Sequence, residues 1–181
     1  MASQLVRLGH CIGVERRTFL AGGLTAEVEV QTVEFPIYAG PSPRSTWRKP
    51  VVGSPDCPFA ELLVAADLRA AGWDAAWVYK PGQFLSSWEP RRRAELPSEA
   101  WQLHQAIVDE IKGRGGARAG CWDVLAWRAA RALFVELKWA GSSDRLRAPQ
   151  LRWREAALAL DRREISDASF LVAEWTGGCV G

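Results

Sequence analysis

The chain has 181 residues, 48% of them hydrophobic, and a formal net charge of +2; this is enough apolar material for the core of one domain. No apolar run nears the roughly 18–20 residues that a membrane-spanning helix needs, so the sequence predicts a soluble protein, and its scattered cysteines read as buried free thiols in a reducing cytoplasm. Cys11, Cys57, Cys121 and Cys179 form no CxxC pair and His10 and His104 are the two histidines, which argues against a disulfide scaffold, a zinc centre or a Ser-His-Asp triad and leaves oxygen ligands for any metal.

Residues 1–50 predict a hairpin around Gly22-Gly23, with the alternation from Glu27 to Val33 as one arm, then a Pro-rich turn region from Pro36 to Pro50. They read as a β appendage or a dimer arm. The run Arg16-Arg17-Thr18-Phe19-Leu20 resembles a twin-arginine export signal, but no apolar stretch follows it.

Residues 51–181 read as the main domain. Ser54-Pro55-Asp56 starts a helix through about Ala71, with Glu61 in its first turns and Gly72 ending it in the left-handed conformation. Trp73 to Tyr79 reads as a strand stopped by Pro81-Gly82. An insertion near residues 81–120 follows, holding Arg91-Arg92-Arg93 and a helix from about Pro97 to Lys112 whose Trp101, His104, Val108 and Ile111 share a face. His104 reads as a core-edge residue. The glycine-rich stretch from Gly113 to Gly120 carries Arg114 and Arg118 and lacks the ending of a nucleotide-binding loop; it reads as a basic wrap for a phosphate backbone or as a linker.

Two apolar runs, Cys121 to Arg128 and Arg131 to Trp139, predict a hairpin buried on both faces. A helix from near Pro149 puts Gln150, Trp153, Ala157 and Leu160 on one stripe, and Ala168 to Trp175 supplies another strand. The order helix, strand, insertion, strand, strand, helix, strand indicates an α/β fold with a central mixed sheet flanked by helices.

Asp123 and Glu136 are the anomaly, because carboxylates inside strongly apolar strands are costly unless partnered. A hairpin turning symmetrically about Ala129-Ala130 sets the two acids opposite each other, where a divalent cation between them would relieve the repulsion. Lys138, two residues beyond Glu136, shares its face. There it would orient or deprotonate a water or neutralise charge on a phosphate. Two features stand beside this reading. Ala-Ala lacks the Gly or Asn of a tight two-residue turn, and a buried ion pair of Lys138 with Glu136 or Asp123 is the purely structural alternative.

Asp123, Glu136-Leu137-Lys138, Gln150 with Trp153, and the earlier Glu61 together resemble the PD-(D/E)XK nuclease superfamily. The stretch Phe134 to Lys138 through Asp144-Arg145-Leu146 and Gln150 to Trp153 is most similar to VRR-NUC domains. The resemblance spans about residues 55–175 and implies a restriction-endonuclease-like core. It implies that Asp123, Glu136 and the Leu137 carbonyl bind Mg²⁺ or Mn²⁺, with Glu61 contacting the metal directly or through water. It makes Lys138 the catalytic lysine and Gln150 its orienting neighbour. Two departures stand out: Phe170 to Trp175 lacks the family's paired arginines, and Trp122 replaces a proline before Asp123.

Charge is unevenly spread. Residues 90–163 hold 15 Lys and Arg against 9 Asp and Glu, a balance of +6, whereas the remainder holds 8 against 12, or −4. Arg91, Arg92, Arg93, Arg114, Arg118, Arg145 and Arg147 are thus the expected nucleic-acid contacts, with a solvated basic surface as the plain alternative. Trp88 is a candidate base-stacking residue, and the other tryptophans read as core. The expected function is Mg²⁺- or Mn²⁺-dependent hydrolysis of DNA phosphodiesters, with RNA left open, by a monomer or homodimer. A non-catalytic nuclease-fold binding module and a hydrolase of small phosphoesters are the rivals.

Overall fold

The computed structural model describes residues 6–36, 59–80, 82–87, 92–116, 120–140, 143, 145–160 and 167–178. The segment Ser54 to Asp56, the candidate contacts Arg91 and Arg118, and Trp88 lie outside these residues; Phe59, which a helix starting at Ser54 would include, is extended, and the helix begins at Ala60. Within them the protein is α/β, with one mixed eight-stranded sheet and three helices. No helix among the described residues is long and apolar enough to cross a membrane.

In chain order the elements are β1 (Cys11–Ala21), β2 (Leu24–Pro36), α1 (Ala60–Ala70), β3 (Asp74–Lys80), β4 (Gln83–Ser87), β5 (Arg92–Arg93), α2 (Ser98–Gly113), β6 (Val124–Arg128), β7 (Arg131–Trp139), α3 (Ala148–Ala159) and β8 (Asp167–Gly178). Across the sheet the order is β1-β2-β8-β7-β6-β3-β4-β5. The β2–β8 and β8–β7 pairs are parallel and the others antiparallel. The N-terminal hairpin is therefore continuous with the sheet, because β2 lies in register along β8 from Glu29↔Leu171 to Pro36↔Gly178.

Both faces of the sheet are covered, which is why β7 is buried at every position from Ala132 to Lys138. On one face Val33, Val135, Leu137, Leu171 and Trp175 pack under Ala60, Val64 and Leu68 of α1. On the other, Val30, Leu125, Phe134 and Val172 pack under Leu103 and Ile107 of α2 and under Leu151 and Trp153 of α3. Gly72 follows α1 at φ +81°, in the left-handed region that only glycine enters freely. One side chain departs from expectation. Trp101 is 42% exposed, since it lies at the rim of the α2 face, where its ring stacks on His104 and meets Phe84 edge-on.

Candidate active site

The β6–β7 hairpin pairs Arg128 with Arg131, Trp127 with Ala132, Ala126 with Leu133, Leu125 with Phe134 and Val124 with Val135. The register is thus symmetric about Ala129-Ala130. Both alanines adopt positive φ, 47° and 61°, as a tight turn matched to strand twist demands. The sequence lacks the Gly or Asn that favours this conformation, and burial of both flanking strands overrides that preference.

Asp123 stands one residue before β6, where one more step of this register would set it opposite Glu136. Its Oδ2 accepts a hydrogen bond from the Leu137 amide at 2.8 Å, and its carbonyl accepts one from the Val78 amide at 2.7 Å. Those two bonds tie Asp123 to β7 and β3. Glu136 and Lys138 follow Phe134 on the alternation of β7, so all three share the face covered by α2 and α3.

Both charged residues are almost fully buried, Glu136 at 3% exposure and Lys138 at 4%. Lys138 Nζ donates to Glu136 Oε1 at 2.8 Å, and Gln150 Nε2 donates to the same oxygen at 2.6 Å. Gln150 occupies the third position of α3 and its Oε1 accepts from the Arg147 amide at 2.8 Å, closing the helix start as a capping residue does. One side chain therefore caps α3 and fixes the Glu136 carboxylate.

The loop leading into Asp123 is held as tightly. The Trp122 indole is fully buried and donates from Nε1 to the Gln150 carbonyl at 3.1 Å. Gly120 has φ +92°, and a Cβ there would fall 2.3 Å from the Pro149 carbonyl carbon, so the loop and the start of α3 meet at a contact that only glycine permits. Cys121 Sγ lies 3.4 Å from His104 Nε2. Burial, then the charges of Asp123 and Glu136, push the Cys121 thiol up and keep it protonated. Burial lowers His104 to about 4, so the imidazole is neutral and belongs to the core, packed against Phe84, Trp101 and Trp153.

Four predicted residues thus converge: Asp123, Glu136, Lys138 and Gln150. Glu61 lies in the first turn of α1, the helix on the opposite face. Among the described residues no three His, Cys, Asp or Glu side chains form a metal-binding group, so Glu61 does not complete a three-carboxylate cluster with Asp123 and Glu136. Arg145 and Arg147 are exposed just before α3. Arg92 and Arg93 are exposed in β5 at the far sheet edge, and Arg114 ends α2, paired with Glu110.

Two polar residues on the site's face escaped the sequence reading. Glu174 of β8 is the register partner of Lys138 on one side and of Thr32 on the other. Arg17 of β1 pairs with Glu174 and also with Glu15. A polar row therefore crosses the sheet from Asp123 through Glu136, Lys138 and Glu174 to Arg17. The signal for Glu174 was present, because it is an acid inside the apolar run from Phe170 to Trp175.

No family model, curated protein or solved structure matches this chain.

Proposed function

We propose that the protein is a divalent-metal-dependent nuclease of the PD-(D/E)XK type, closest in pattern to VRR-NUC domains, that hydrolyses DNA phosphodiester bonds. The observation that carries this reading is the meeting of Asp123, Glu136, Lys138 and Gln150 at one end of a buried hairpin, on the strands and helix that the family pattern assigns to them. The order α1, β3, insertion, β6, β7, α3, β8 suits a restriction-endonuclease-like core.

The donor set fits a hard cation. Two carboxylates, Asp123 and Glu136, and the Leu137 carbonyl would hold it, and oxygen donors select Mg²⁺ or Mn²⁺ over softer metals. When bound, such an ion supplies positive charge against a phosphate and acidifies a water ligand. The chain's own residues do the rest. Gln150 anchors Glu136 from α3. Lys138 brings an ammonium to the same carboxylate, where it orients a water by hydrogen bonding and offsets charge gathering on the phosphate oxygens. Asp123 is half-buried, whereas Glu136 and Lys138 are buried.

One observation favours a second reading, a nuclease-fold DNA-binding module without turnover. Lys138 and Glu136 neutralise each other at 2.8 Å, and a buried pair with good geometry needs no cation to persist.

Incubation with duplex, single-stranded, flap and junction DNA, each with Mg²⁺ or Mn²⁺, separates the two. The nuclease reading expects cleavage that EDTA abolishes and that Glu136→Gln and Lys138→Met lower by about 10²-fold or more. Cleavage that survives EDTA or either substitution overturns it. DNA binding with no divalent-metal binding by calorimetry selects the module instead.

A further inference from the structure

Strand β1 is the outer strand of the sheet, and among the described residues it pairs with β2 alone. It is 11 residues long, against a usual strand of about 5–6. Long exposed edges are normally avoided because their unpaired amides and carbonyls recruit other strands. This edge is also apolar where it faces solvent: Ile12 is 63% exposed, Val14 54% and Leu20 74%. Val14 and Leu20 project from one face of the strand, with Arg16 and Thr18 between them, and Ile12 sits at the bulge between Cys11 and Gly13.

We propose that β1 is a homodimer interface, in which two copies of the chain pair β1 with β1 antiparallel about a twofold axis through Arg16. The occupant follows from the strand's own sequence. In a twofold antiparallel pair, residues facing each other must lie on the same side of the sheet, so the register can slide only in steps of two. Each register sets one like pair at its axis; centring on Glu15 adds no opposite-charge pair, and centring on Arg17 sets Val14 against Leu20 but likewise adds no opposite-charge pair. Centring on Arg16 sets Glu15 against Arg17 twice, Val14 against Thr18 twice, and Leu20 against the Ile12 bulge twice.

That register brings opposite charges together twice: Glu15 of each copy, which pairs with Arg17 of its own chain, also faces Arg17 of the other copy. Like charges opposite each other destabilise a sheet and opposite charges support it. The Arg16 side chains face each other at the axis, but each already reaches Glu27 of β2 at 3.4 Å, which offsets the repulsion. Each pair occurs twice, as an isologous contact requires. The charged triplet at the centre hinders a foreign apolar strand while matching its own copy.

The full chain tests this by sedimentation and by cysteine cross-linking. A dimer mass is expected, and Val14→Lys combined with Leu20→Lys should yield a monomer with an unchanged circular dichroism spectrum. Under mild oxidation Arg16→Cys should form a disulfide dimer by itself. Val14→Cys and Thr18→Cys should each fail to do so alone and should cross-link when mixed. A monomer mass at every concentration overturns the proposal, as does cross-linking of Val14→Cys to itself or a dimer that survives the double lysine substitution.

Discussion

Glu136 and Lys138 lie between hydrophobic neighbours on β7, and their contribution to stability differs from their contribution to chemistry. Removing one partner of a buried pair leaves the other charge uncompensated, so Glu136→Ala should cost about 3–5 kcal/mol. The double variant Glu136→Leu with Lys138→Met should recover much of that loss, because no ion is left uncompensated and only the Gln150 amide loses its acceptor. Urea denaturation of the single and double variants checks this, and a double variant as unstable as the single would contradict it. His104 provides a second residue-level test. Burial lowers it from 6.5 to about 4, so between those pH values the unfolded chain takes up a proton that the native state refuses. The stability associated with the neutral ring is complete above pH 6.5, falls by about 3 kcal/mol as pH drops to 4, and changes no further below that. His104→Phe should flatten that part of the curve relative to the parent chain. These residues were legible because each breaks a local rule: an acid or a lysine in an apolar run, a histidine on an apolar helix face. Trp122 and Gly120 were not, since their roles are contacts with Gln150 and Pro149 of α3, and periodicity does not report which backbone two segments share.

At the scale of elements, the β6–β7 hairpin illustrates how patterning and turn chemistry can disagree. The apolar runs on both sides of Ala129-Ala130 favour a symmetric register, whereas two alanines at positive φ oppose it by roughly 1–2 kcal/mol each. Burial of Val124, Leu125, Phe134 and Val135 prevails, because a slip of one residue would turn every side chain of the strand to the wrong face. Replacing the turn with Ala129→Asn and Ala130→Gly should relieve the strain and stabilise the fold by about 1 kcal/mol, raising Tm by about 2–4 °C. Thermal melts measure this, and an unchanged or lower Tm would mean that the alanines are not strained. The helices were legible from their apolar spacing and the end of α1 from Gly72, and β3, β6, β7 and β8 from their aromatic and apolar runs; β4 and β5, inside the stretch read as an insertion, were not. The pairing of β2 with β8 was not, because which strands become neighbours depends on how whole faces are covered and leaves no mark in either segment.

At the scale of the molecule, that pairing makes the N-terminal hairpin part of the sheet. The polar row that ends at Arg17 makes it part of the face on which Asp123, Glu136, Lys138 and Gln150 meet. The basic bias of residues 90–163 is divided by the fold: Arg92 and Arg93 stand at the β5 edge, Arg114 at the end of α2, and Arg145 and Arg147 beside the site. Strand order also sets a timetable for synthesis. About 130 residues separate β2 from β8, so at translation rates on the order of 5–20 residues per second the hairpin waits many seconds for the strand that completes it. Throughout that interval Val28, Val30, Val33 and Phe35, all buried at the end, have no sheet to join. Until β8 has been made, the apolar face of the hairpin stays open to non-native association.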